Sequence, residues 1–232
     1  MAQRDDLFLH EEIMLLALKD EKGTFASGTQ YSFGMGGAIL AELMLDGRIR
    51  VVKPKKSPLA EAVGVEGLGD PVIDECLQKV RDAKKRTSLQ TWVSRFANLK
   101  KLRHRVAGRL AERGILRVDQ DKILGIFNRT IYPEMDPGPE RRIIARLRRA
   151  IFQGASNIDP RTVALVSLAH HTGILKVVFD KRELKDQKDR IEKIMNGDLT
   201  GQATKAAIEA MQAAVMVACI LPVIITAATV HH

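Results

Sequence analysis

Along most of this chain the apolar residues recur every three or four positions, the spacing of helices that bury one face. Residues 13–18 depart from it by being apolar on every side, which predicts a short helix at the centre of the fold. A second helix is expected over 38–46, stopped by Gly47, and Arg48-Ile49-Arg50-Val51-Val52 then alternates as a half-buried strand does, with 53–56 as its turn. Asp70-Pro71 and Asp159-Pro160 each offer a capping carboxylate followed by a first-turn proline. Behind the first come Ile73, Cys76, Leu77 and Val80 at helical spacing, and behind the second Val163, Val166 and Ala169.

From Leu99 onward, Leu102, Val106 and Leu110 keep to one side of a predicted helix while Lys101, Arg105 and Arg109 line another. Gly114 ends it, and 115–118, a turn at 119–122 and 123–127 read as a hairpin. The same helix, glycine, strand order surrounds Gly47 and Gly114, and common helix-to-strand chemistry is favoured over a duplicated unit. Further helices are expected over 139–152 and 181–195, and the proline-rich stretch 132–139 is a loop. The sum is a mainly α fold, a single globular domain over 1–232 with small β-hairpins.

Composition narrows the class. The chain has 232 residues, 45% hydrophobic and 28% charged, which is enough apolar material for one buried core and excludes general disorder. Cys76 and Cys219 stand far apart with no CxxC or Cys/His spacing, so neither a disulfide framework nor a zinc site is indicated and a reducing compartment follows. The first residues mix acids with apolar side chains and lack the pattern of a secretory signal. Residues 213–230 carry no charge and approach the length of a bilayer span. Pro222, Thr226, Thr229 and the lack of a Lys or Arg anchor favour a buried core helix, about 203–230, over a tail anchor.

Charge then changes the picture. Of a formal net charge of +9, much sits between Lys84 and Arg109, where nine Lys or Arg residues occur with no acid. An ordinary solvated helix mixes both signs, so this stretch predicts a surface for anions, with Lys100, Lys101, Arg103, Arg105 and Arg109 as candidate ligands. Phosphates of lipid headgroups or of nucleic acid would both answer. A basic helix followed by a hairpin also describes a winged-helix DNA-binding unit, which makes nucleic acid the less favoured alternative. Aromatic residues, at 4%, are too few for a base-stacking platform.

Catalytic chemistry has little support. Gly34-Met35-Gly36-Gly37 lacks the surroundings of a phosphate-binding loop and reads better as a close-packed helix start. His10-Glu11-Glu12 and His170-His171 lack the spacing of metal sites and read as structural, so no catalytic residue, metal or cofactor is assigned.

Leu7-Phe8-Leu9-His10-Glu11-Glu12 with Leu16 to Gly23, Gly37 to Leu43 with Gly47-Arg48-Ile49, Arg103 to Leu116 and Arg161 to His170 fall in order along the chain. Together they resemble the motifs of the Golgi phosphoprotein 3 family. The resemblance implies a single helical domain whose C-terminal apolar helix belongs to the core. It implies a non-enzymatic, cytoplasmic, peripheral membrane protein that binds phosphatidylinositol 4-phosphate and holds membrane proteins by their cytosolic tails; a homo-oligomer is compatible with it. Two basic residues of that lipid pocket correspond to Lys100 and Arg103, expected to share a helix face. The family's pocket tryptophan falls at 25–27 and its arginine at Gly36, so general affinity for anionic phospholipid is expected to replace phosphoinositide specificity.

Overall fold

Helix α1 (Leu9–Ala17) runs through the middle of the protein with every residue buried, as a pattern apolar on all sides requires. The structure, a computed structural model, describes residues 6–19, 23–52, 58–123 and 127–200. Around α1 pack α2 (Tyr31–Leu45), α5 (Leu102–Glu112), α6 (Gly138–Phe152) and α7 (Pro160–His171), while α4 (Leu89–Ala97) lies against α2. The remaining helices are α3 (Pro71–Arg81), α8 (Leu175–Val178), α9 (Lys181–Asp186) and α10 (Lys188–Met195). The protein is mainly α, with small antiparallel sheets at its periphery. These pair β1 (Leu18–Lys19) with β2 (Thr24–Phe25), β3 (Ile49–Val52) with β4 (Leu59–Ala62) and β4 with β5 (Thr87–Ser88), and β6 (Asp119–Ile123) with β7 (Phe127–Ile131).

The caps read from the sequence are present. Asp70 accepts from the amides of Val72 and Ile73, and Asp159 from that of Thr162. Gly47 and Gly114 both take positive φ and reverse the chain in the same way, with Arg48 N–H donating to Leu43 O and Ile115 N–H to Leu110 O. The shared pattern around them is that of a helix C-terminus.

Several boundaries differ from expectation, each for a physical reason. Helix α2 begins at Tyr31 and carries Gly34, Gly36 and Gly37 inside it, so the glycine run is neither a loop nor a helix start. A Cβ on Gly36 would stand 2.6 Å from the carbonyl oxygen of Val93 and 2.7 Å from the amide nitrogen of Ala97. Glycine at 36 therefore permits α2 and α4 to touch backbone to backbone, and this packing overrides its poor helix propensity. Residues 119–122, expected as a turn, are strand β6, where Asp121 pairs across the ladder with Arg129 at 2.7 Å. A hairpin projecting into water can be polar on both faces and shows no alternation to read. Residues 181–195 form α9 and α10, separated at Gln187; Leu184 and Ile191, seven apart, line one groove across the break, which is why the pattern reads as a single helix. The proposed turn at 53–56 and the apolar segment at 203–230 lie outside the described residues. Among the described residues no helix is long and apolar enough to cross a membrane.

Candidate functional site

The expected helix from Leu99 does not start there. Helix α4 ends at Ala97, α5 begins at Leu102, and Lys100 and Lys101 occupy the turn between them. Lys101 is the N-cap of α5 in the left-handed conformation, φ 56° and ψ 29°, a backbone that costs a non-glycine residue about 1–2 kcal/mol. Lys100 and Arg103 are thus not neighbours on one helix face; one lies in the turn and the other in the first turn of α5. Lys100, Lys101 and Arg103 are exposed, and no ion pair to any of them occurs among the described residues. The N-terminus of α5 has no side-chain cap and no acid in its first turn. Leu102 N–H donates to the carbonyl of Leu99, and the amides of the rest of the first turn, with the dipole, add to the three cations, an arrangement unfavourable for the helix alone and favourable for a bound anion.

Arg105 and Arg109, expected in the same anion surface, are turned elsewhere. Arg105 meets Glu75 at 2.6 Å, and Arg109 lies 3.7 Å from Asp70 and 3.1 Å from Glu112. Glu75 and Asp70 belong to α3 and its cap, so the acids missing from the basic stretch arrive from another element. Glu75 sits below the ordinary glutamate range: burial pushes it up, but the hydrogen bond and charge of Arg105, with help from Lys79, outweigh that. Earlier in the stretch, Arg86 is likewise paired, at 2.7 Å from Glu61, and Arg95 stacks over Trp92 at 4.8 Å.

Beside the three free cations the fold assembles an aromatic group that sequence reasoning missed. Phe25 stacks on Tyr31 with ring centroids 3.8 Å apart, Phe25 meets Tyr132 edge-on, and Tyr132 hydrogen-bonds His104 Nδ1 at 2.6 Å. Desolvation, then the nearby charges of Arg103 and Lys101, hold His104 below the ordinary histidine range, so it is neutral near pH 7. Phe25 lies within 25–27, the region where the resemblance places a tryptophan. The resemblance's arginine does not transfer: Gly36 is buried against α4 and has no room for any side chain.

The His10-Glu11-Glu12 run is structural. Glu11 accepts from the amide of Phe8 and Glu42 from that of Leu9, so two carboxylates cap the buried start of α1. Arg146 reaches Glu12 at 2.6 Å, Arg161 reaches Glu42 at 2.5 Å and also donates to the carbonyl of Leu7, and Arg113 stands 3.5 Å from Glu11. Burial raises Glu12 above the ordinary range despite Arg146 and Arg161. His10 is buried 3.8 Å from Asp70. His171 holds the carbonyl of Ser167 through Nδ1. Among the described residues no group of His, Cys, Asp and Glu could hold a metal ion. Cys76 is buried and its thiol is pushed far up by desolvation, which makes it inert.

The model of the family described as Golgi phosphoprotein 3 (GPP34) matches residues 9–211. The chain is also similar to the vacuolar protein sorting-associated protein 74 of Schizosaccharomyces pombe, 25% identical over 220 residues, which cover 81% of this chain and 65% of that protein. The chain thus spans somewhat under two thirds of the length of this relative. The protein belongs to the Golgi phosphoprotein 3 family.

Proposed function

We propose that this member of the family is a non-enzymatic peripheral protein of anionic membranes, docking through Lys100, Lys101 and Arg103 at the turn between α4 and α5. The observation that carries the reading is the contrast within one basic stretch: Arg105 and Arg109 have carboxylate partners, whereas these three cations and the uncapped start of α5 face water. Tyr31, half-buried and stacked on the half-buried Phe25, supplies an amphipathic ring of the kind that settles at a headgroup layer. The docking is reversible and salt-sensitive, because exposed charges are screened beyond roughly 8 Å at physiological ionic strength. The yeast relative, a vacuolar protein sorting-associated protein, supports an adaptor role in which the docked protein holds cytosolic tails of membrane proteins.

Phosphoinositide recognition is expected to be weak. Without a guanidinium at position 36 the surface lacks a second forked donor, and two lysines and one arginine sense charge density more than phosphate position. Nucleic acid is the less favoured ligand, since a recognition helix would need Arg105 and Arg109, which α3 occupies. The test is flotation with liposomes matched in total charge, carrying phosphatidylserine or phosphatidylinositol 4-phosphate, beside a DNA shift assay at the same salt. Flotation on both liposomes to a similar extent, with no DNA shift, is expected. No flotation on either would overturn the reading.

A further inference from the structure

Away from the α4–α5 turn, the helices after α7 enclose a groove of about 390 Å³, within the range of small-molecule sites. Its lining is His170, Leu175 and Lys176 on one side and Lys181, Leu184, Lys185, Lys188 and Ile191 on the other. Leu175 and Ile191 are almost completely buried and form the floor with the half-buried Leu184; the lysines are exposed at the rim. Among the described residues no carboxylate lines it. Helices α9 and α10 are rich in acids, but Glu183, Asp186 and Asp189 fall outside this lining, and Glu192 approaches its rim at Lys188, 3.9 Å away, and near enough to His170 to act on its charge. Lys181 and Lys185 lie one helical turn apart on α9 and both face the groove.

We infer that this groove binds a single-chain anionic amphiphile, with its alkyl chain against Leu184, above the buried Leu175 and Ile191, and its anionic head among Lys181, Lys185 and Lys188. The apolar floor alone would suit any greasy occupant; the segregated lysines select one that carries negative charge. The segment 213–230 of this chain has apolar side chains for the floor but no anion for the rim. A flat bilayer surface could meet the lysines but would leave the buried floor untouched, so the chain must leave the bilayer to enter the groove. The inference goes beyond the docking surface, with which it shares no residue.

The experiment is calorimetric titration of the full-length protein with oleate below its micelle concentration. Oleyl alcohol supplies the chain without the charge, and inorganic phosphate supplies charge without a chain. Saturable oleate binding, much weaker alcohol binding and none of phosphate are expected. Replacing Lys181, Lys185 and Lys188 together by Gln, all at exposed positions, should weaken oleate at least about tenfold, taking the contribution of each charge as near that of a lysine at an anionic surface. Leu184→Ser should weaken oleate and alcohol alike, with an unchanged circular dichroism spectrum showing that it folds. The Lys100→Ala/Arg103→Ala variant should bind oleate as wild type does, which separates this site from the docking surface. No saturable binding by wild type, as when the protein's own C-terminal segment fills the groove, would overturn the inference. Equal affinity of the triple-Gln variant, or loss of binding in the Lys100/Arg103 variant, would do the same.

Discussion

Two arginine-bearing regions of this protein have opposite fates. Around the start of α1, Arg113, Arg146 and Arg161 from three different helices converge on Glu11, Glu12 and Glu42, all buried. At the turn between α4 and α5, Lys100, Lys101 and Arg103 stand together in water with no acid to answer them. The first arrangement fixes how α1, α2, α5, α6 and α7 meet, because each guanidinium ties one helix to another; the second ties nothing and leaves its charge for something outside the protein. Arg105 and Arg109 show how narrow the margin is. They lie on the same helix as Arg103, yet two and six positions further on they face α3 and its cap and are consumed there.

Breaking the buried half should cost most. Arg161→Met would leave Glu42 and Glu12 without their shared cation, and urea unfolding should show a loss of about 3–5 kcal/mol. A loss close to zero would mean that the network contributes nothing and that the contrast drawn here is false. Breaking the exposed half should spare stability and cost binding: Lys100→Ala with Arg103→Ala should lower partition onto anionic liposomes by roughly 1 kcal/mol per residue while the melting temperature stays put.

A finer test turns the two properties against each other. Lys101 holds a left-handed backbone that glycine adopts freely, so Lys101→Gly should raise stability by about 1 kcal/mol and weaken liposome binding. Stability gained without any loss of binding would remove Lys101 from the surface. Arg105→Ala, which breaks a half-exposed pair with Glu75, should cost no more than about 1 kcal/mol and leave flotation unchanged.

The smallest expected effects are opposite slopes with pH. Glu75 titrates below its ordinary range when folded, so its contribution to stability is present above that range and is lost as pH falls through the lowered value. Glu12 titrates above its ordinary range, so the folded state holds its proton more tightly than the unfolded one, and stability declines as pH rises from the ordinary value through the raised one. Urea midpoints across the acid range should therefore lose the first slope in Arg105→Ala and the second in Glu12→Gln.

The mainly helical character, the Asp-Pro caps and the glycine stops were legible because each depends on residues within one or two turns of each other, whereas the short helices α4 and α8 were not read. The central position of α1 was legible too, since a helix apolar on all sides has to be surrounded. The candidate site was legible only as a basic stretch. Sequence placed five cations in it and could not sort them, because Glu75 and Asp70 come from thirty or more positions away. The buried roles of Glu11 and Glu12 depend on arginines more than a hundred positions distant, the aromatic group joins Phe25 and Tyr31 to Tyr132, and the need for glycine at 36 rests on the backbone of α4. Sequence by itself determined where the Asp-Pro caps and the glycine stops fall and how much charge the protein carries. Tertiary structure decided which charges are cancelled, because cancellation depends on a separation of a few ångströms between side chains that the chain order leaves unspecified.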